Sequence, residues 1–78
     1  MMSKSIKTIK WIFSYEGEDV PLQITITPVT LTRPNNTIYT YELAAQGKHV
    51  MCWEWSKLPS DIALKEKGET EFMRAIYV

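Results

Sequence analysis

The sequence predicts a mainly β protein: a small five-stranded, bent antiparallel sheet or SH3-like barrel with one short helix between strands 4 and 5. Apolar and polar residues alternate in several runs of strand length, and turn signals rich in glycine, proline or asparagine separate these runs. A helix-start pattern at Pro59-Ser60-Asp61 follows the fourth run. Five short antiparallel strands close readily into a barrel, which removes exposed sheet edges.

Length and composition indicate one domain over residues 1–78. The chain is long enough for one compact core, and its nine basic and nine acidic residues cancel. This balance disfavours a protein that binds nucleic acid through its overall charge. The single cysteine cannot form an intramolecular disulfide, and no run resembles a signal peptide or a membrane span. We therefore expect a cytoplasmic protein, of a size common among accessory proteins of phages and mobile elements.

The first strand is predicted from Ile6 to Tyr15 and ends at a hairpin turn over residues 16–19. The second strand is predicted from Val20 to Thr32, and its apolar residues change parity. Leu22, Ile24 and Ile26 are even-numbered, whereas Val29 and Leu31 are odd-numbered and would face the opposite side of a regular strand. Pro28 lies between the two sets and lacks a backbone N–H. We expect a β-bulge or bend at Thr27-Pro28 that returns both sets to one side.

The third strand is predicted from Thr37 to Gln46, after a turn over residues 33–36, and a tight connection over residues 46–48 pairs it with the fourth. The fourth run, His49 to Lys57, contains two tryptophans and the only cysteine and histidine. Both of its faces are apolar at the centre, which favours an interior strand covered on each face.

The short helix is predicted to begin after Ser60 as N-cap and to end just before Gly68, with Lys65 and Lys67 in its last turn. Residues 69–78 alternate and are interpreted as a fifth strand. A helix that continues through Arg74 is the alternative.

Residues for catalysis are nearly absent, so we do not expect an enzyme, a metal or a cofactor. His49 and Cys52 are three positions apart on a strand and point to opposite faces, which argues against a nucleophilic pair. One histidine and one cysteine also fall short of the four ligands of a zinc site. Glu54, between two tryptophans, is either a solvent-facing strand residue or a carboxyl group with acid–base chemistry.

The aromatic residues give the best indication of function. They either form the core or present a surface that binds a protein partner, and the candidates are Trp11, Tyr39, Tyr41, Trp53 and Trp55. We expect a non-enzymatic interaction module, such as a small inhibitor or adaptor, that engages its partner through this face or through a sheet edge. Edge pairing also makes a homodimer a candidate state. The alternative is single-stranded nucleic acid stacked on the same rings beside a basic patch of Lys7, Lys10, Arg33 and Lys48. No membrane interaction is expected.

Overall fold

The computed structural model describes residues 5–30 and 37–76, which form a four-stranded antiparallel sheet and one C-terminal helix. The strands are paired in chain order, so the sheet is an open meander with the first and last strands at its edges. The elements are β1 (Lys7–Tyr15), β2 (Glu18–Thr30), β3 (Thr37–Ala45), β4 (Lys48–Trp55) and α1 (Asp61–Ile76). The predicted five-stranded sheet or SH3-like barrel, with a helix between strands 4 and 5, is therefore wrong.

Two-residue turns connect β1 to β2 and β3 to β4. Glu16 and Gly17 have φ values of 52° and 81°, and Gln46 and Gly47 have φ values of 53° and 78°. Positive φ at both central residues matches the right-handed twist of the flanking strands, which is why short hairpins favour such turns. Both predicted hairpins are confirmed.

The helix covers one side of the sheet, which we call the helix face. The residues buried there are Ile9, Val20, Leu22, Ile24, Ile26, Tyr41, Leu43 and Ala45 from the strands and Leu64 from α1. We call the other side the open face, because no described element packs on it. It carries Lys10, Ile12 and Ser14 of β1, as strand alternation requires, and Cys52 and Glu54 of β4.

β2 is one uninterrupted strand, so the predicted β-bulge at Thr27-Pro28 is wrong. Its register with β3 runs in step from Leu22 to Thr30. The missing N–H of Pro28 would point toward the β1 side, because the backbone groups of the even-numbered residues Ile26 and Pro28 face that side. Ile26 already pairs with Lys7, the first residue of β1. Pro28 thus lies beyond the end of the β1–β2 ladder, where no hydrogen bond is lost.

The bulge lies in the β3–β4 pair instead. Leu43 pairs with Met51 and Ala44 with His49, which leaves Val50 as the extra residue. Val50 is half-buried and packs against the core. The prediction that this segment is an interior strand covered on both faces is also wrong, because β4 is an edge strand and Cys52 and Glu54 are exposed.

The helix begins as predicted and ends nine residues later than predicted, at Ile76 instead of Lys67. The backbone N–H of Ala63 donates to Ser60 Oγ (3.3 Å), which confirms Ser60 as the N-cap. Gly68, interpreted as the residue after the helix, lies inside its 16 residues. Lys65 and Lys67 are accordingly in the middle of α1, and residues 69–76 are helical rather than a fifth strand. Residues 77 and 78 lie outside the described residues.

Candidate protein-binding edge

Along one side, the backbone of β1 presents hydrogen-bonding groups that pair with no strand of the described residues. Gln46 N donates to Pro21 O (2.9 Å), so Pro21 faces β3 and the even-numbered residues of β2 face β1. Their register partners in β1 are the odd-numbered residues, from Lys7 to Tyr15. The N–H and C=O groups that point away from the sheet therefore belong to the even-numbered residues, which are Thr8, Lys10, Ile12 and Ser14. We call this side of the sheet the β1 edge.

Exposed apolar side chains from β1 and from the residue just before it flank the β1 edge. Ile12, on the open face, is 60% exposed, and Ile6, just before the strand, is 53% exposed. Beside Ile12 the open face has a depression of about 510 Å³. Its lining includes Lys10, Ile12, Pro21, Gln23, Ala44 and Gly47. An apolar side chain of a bound segment has room there.

The helix adds a second apolar flank. Ile62, Glu69 and Ile76 are seven residues apart and form one stripe along α1. Glu69 faces β1, because its Oε2 accepts a hydrogen bond from Trp11 Nε1 at 3.0 Å. Ile62 and Ile76 therefore lie on the β1 side of the helix, and they are 72% and 46% exposed. Four of the five large exposed apolar side chains of the described residues thus border this edge.

The β4 edge differs from the β1 edge in one way that hinders pairing with another strand. The bulge at Val50 interrupts its regular backbone, whereas the β1–β2 register runs unbroken through nine residues. Charge does not distinguish the two edges, because exposed Lys10 stands beside the outward-facing backbone groups of β1 as exposed Glu54 does beside those of β4. A bulge is one of the devices by which natural sheets prevent edge pairing.

The five predicted partner-binding aromatic residues all lie on the helix face. Tyr41 is fully buried, and its ring stacks on Trp53 with a centroid distance of 5.3 Å and lies 6.0 Å from Trp55. The Tyr41 hydroxyl donates to the carbonyl of Lys57. Burial raises the pKa of the Tyr41 phenol, with a smaller contribution from Tyr39. Tyr39, Trp53, Trp55 and Trp11 are half-buried and pack against the core.

Charged side chains of the helix lie beside the two tryptophans of β4. Lys67 Nζ lies 5.7 Å from the Trp53 ring centroid and 5.9 Å from that of Trp55, within cation–π range. Lys67 and Arg74 also pair with Glu71, at 3.2 Å and 3.1 Å, and this carboxylate is almost completely buried. Trp53 Nε1 is buried without a hydrogen-bond partner among the described residues.

The structure does not bring the predicted basic patch together. Lys7 lies on the helix face and pairs with Asp61. Lys10 projects from the open face, and Lys48 begins β4 at the opposite edge of the sheet. Arg33 lies outside the described residues.

The other residues considered for chemistry are exposed side chains of β4. His49 lies beside the β3–β4 turn, and Cys52 and Glu54 are on the open face. Within residues 5–30 and 37–76, no group of three or more histidine, cysteine, aspartate or glutamate side chains is placed to hold a metal ion.

Comparison of the chain with protein-family models, with curated proteins and with solved structures finds no match. In the part of the chain that the structure describes, no helix has the length and apolar character needed to cross a membrane.

Sequence reasoning missed the β1 edge and the isoleucines of α1 as candidate binding residues. A signal for the edge was present, because two short hairpins in succession predict a meander whose first strand is at the edge. The helix isoleucines could not be found, since their stripe depends on a helix that continues through Gly68.

Proposed function

We propose that this protein is a non-enzymatic interaction module, a small inhibitor or adaptor, that binds an extended segment of a protein partner along the β1 edge. The observation that carries the proposal is the regular backbone of Thr8, Lys10, Ile12 and Ser14, which faces no other strand within residues 5–30 and 37–76. An added strand forms hydrogen bonds with such an edge, and neighbouring side-chain contacts provide specificity.

The side chains around the edge support the same proposal. Ile12 on the open face and Ile62 and Ile76 on the helix give apolar contact on both sides of an added strand. The neutral net charge of the chain allows close approach of partners of either sign.

Binding through the aromatic residues is less well supported. Trp11, Tyr41, Trp53 and Trp55 share the face on which α1 packs, and Tyr41 has no exposed surface. Single-stranded nucleic acid would need free ring faces beside a basic groove. The rings lie beneath the helix, and Lys7, Lys10 and Lys48 point in different directions, so no specific observation favours this second function.

Photo-crosslinking in cells tests the proposed edge. A benzophenone amino acid replaces Ser14 beside the β1 edge or Glu54 beside the β4 edge, and adducts are identified by mass spectrometry. We expect adducts from position 14 that disappear when Ile12→Pro removes an outward N–H, and none from position 54. Adducts that form equally well at both positions, or that survive Ile12→Pro in a folded protein, would contradict the proposal.

A further inference from the structure

We propose that the segment bound at the β1 edge belongs to a second copy of this chain, so that two β1 strands pair antiparallel and join two sheets into one of eight strands. This inference rests on the proposed function and names its partner. Antiparallel pairing of identical strands creates a two-fold axis, in which each contact occurs twice.

Charge complementarity along β1 favours a second copy. The start of the strand is basic, with exposed Lys10 and with exposed Lys7, which also pairs with Asp61 of its own chain. Its end leads into an acidic segment, with exposed Glu16 in the turn and exposed Glu18 and Asp19 at the start of β2. Antiparallel pairing places the basic start of each copy near the acidic segment of the other, so both ends of the interface bring opposite charges together.

The position of Lys10 selects one register. In an arrangement centred on Trp11, Lys10 lies opposite Ile12 of the second copy and Thr8 lies opposite Ser14. All four outward-facing residues then form hydrogen-bonded pairs. A register centred on Lys10 would place two lysines directly opposite each other, which destabilises a strand pair. The register centred on Trp11, which we call the centred register, therefore combines the longest ladder with the absence of like-charge pairs.

The helix stripe is symmetric about the same point. Ile62 and Ile76 are equally far from Glu69, and Glu69 binds Trp11, the proposed centre of the strand pair. A two-fold axis near Trp11 thus places the apolar flank of one copy symmetrically to that of the other.

Charge substitutions at Ile12 test both the dimer and its register. Ile12 is exposed on the open face, so Ile12→Lys and Ile12→Glu should leave the monomer folded. In the centred register, residue 12 faces Lys10 of the other copy twice per dimer. We expect sedimentation equilibrium to show a wild-type dimer, and a dissociation constant on the order of tenfold higher for Ile12→Lys than for Ile12→Glu. A wild type that stays monomeric, or an Ile12→Glu variant weakened as much as Ile12→Lys, would overturn the inference.

Distances between spin labels provide a second measurement. Labels are attached at Thr8→Cys or Ser14→Cys in a Cys52→Ser background, one position at a time. The centred register predicts equal Cα separations of about 20 Å for the two pairs. A shift of the centre by one residue makes them unequal, at about 14 and 27 Å, and would contradict the register.

The two proposals can fail separately. Purified protein that is monomeric while position 14 still crosslinks to a different protein would reject self-pairing and leave the proposed edge function intact. Absence of any adduct at position 14, together with a monomer in solution, would reject both.

Discussion

Gly68 of α1 lies directly against Trp11 of β1: a Cβ atom on this glycine would stand 2.8 Å from Cη2 of the indole ring. The same atom would be 3.0 Å from Ile24 Cδ1. Glycine here allows the helix to approach the sheet closely, and its role is packing rather than helix termination.

Substitution Gly68→Ala tests this contact. Alanine is a better helix former by about 1 kcal/mol, but overpacking a close contact costs roughly 1–3 kcal/mol. We expect the free energy of unfolding to fall by about 1 kcal/mol in urea denaturation followed by tryptophan fluorescence. Exposed Thr70 is the matched control, where Thr70→Ala should raise the free energy of unfolding by about 0.5 kcal/mol. A stabilising Gly68→Ala would show that Trp11 moves aside without cost.

The hydrogen bond from Trp11 Nε1 to Glu69 fixes the indole on the side of the helix that faces the β1 edge. Glu69→Gln keeps an acceptor oxygen, whereas Glu69→Ala removes it. We expect Glu69→Ala to lower the free energy of unfolding by about 1 kcal/mol and Glu69→Gln to lower it by less. The NMR resonance of the Trp11 indole N–H should shift in the alanine variant. Equal stability of the two variants would argue that the bond contributes nothing.

Tyr41 makes stability depend on alkaline pH. Because burial raises the pKa of its phenol above the ordinary 10.0, the folded state binds this proton more tightly than the unfolded state. The contribution is complete below pH 10 and is lost as pH rises through the folded-state pKa. Between about pH 9 and pH 11, the free energy of unfolding should fall more for wild type than for Tyr41→Phe. Parallel pH profiles for the two proteins would contradict this expectation.

Gln46 occupies a left-handed backbone conformation, with φ of 53°, in the β3–β4 turn. Asparagine tolerates this conformation better and is preferred at this position of such turns. We expect Gln46→Asn to raise the free energy of unfolding by about 0.5 kcal/mol and Gln46→Val to lower it by about 1 kcal/mol. Thermal denaturation of the three proteins measures both changes, and the reverse order would refute the turn assignment.

The four strands and both hairpins could be predicted from the sequence, because alternation and turn residues are local signals. The even-numbered apolar set of β2 also shares one face, as strand alternation predicts. The bulge was assigned to the wrong strand. Pro28 suggested an irregularity in β2, but whether a missing N–H matters depends on where the neighbouring strand ends. Val50 gave a weaker signal for the true bulge, as an apolar residue next to Met51.

The predicted helix is shorter than the observed one for a similar reason. Gly68 after two lysines has the pattern of a helix end, and local sequence cannot show that Trp11 will occupy the space of its missing side chain. The same error hid the exposed isoleucine stripe of α1. Without residues 69–76 in a helix, Ile76 could not be placed with Ile62, and the aromatic residues had no cover.

The order of elements has a consequence for synthesis of the chain. Each strand pairs with its predecessor, so the whole sheet can form before α1 leaves the ribosome. Until α1 arrives, the nascent sheet displays the aromatic surface that the finished protein conceals. We expect a ribosome-stalled chain ending at Lys57 beyond the exit tunnel to bind a hydrophobic dye, and one extended past Ile76 to lose that binding. The helix thus covers a surface that would otherwise attract chaperones.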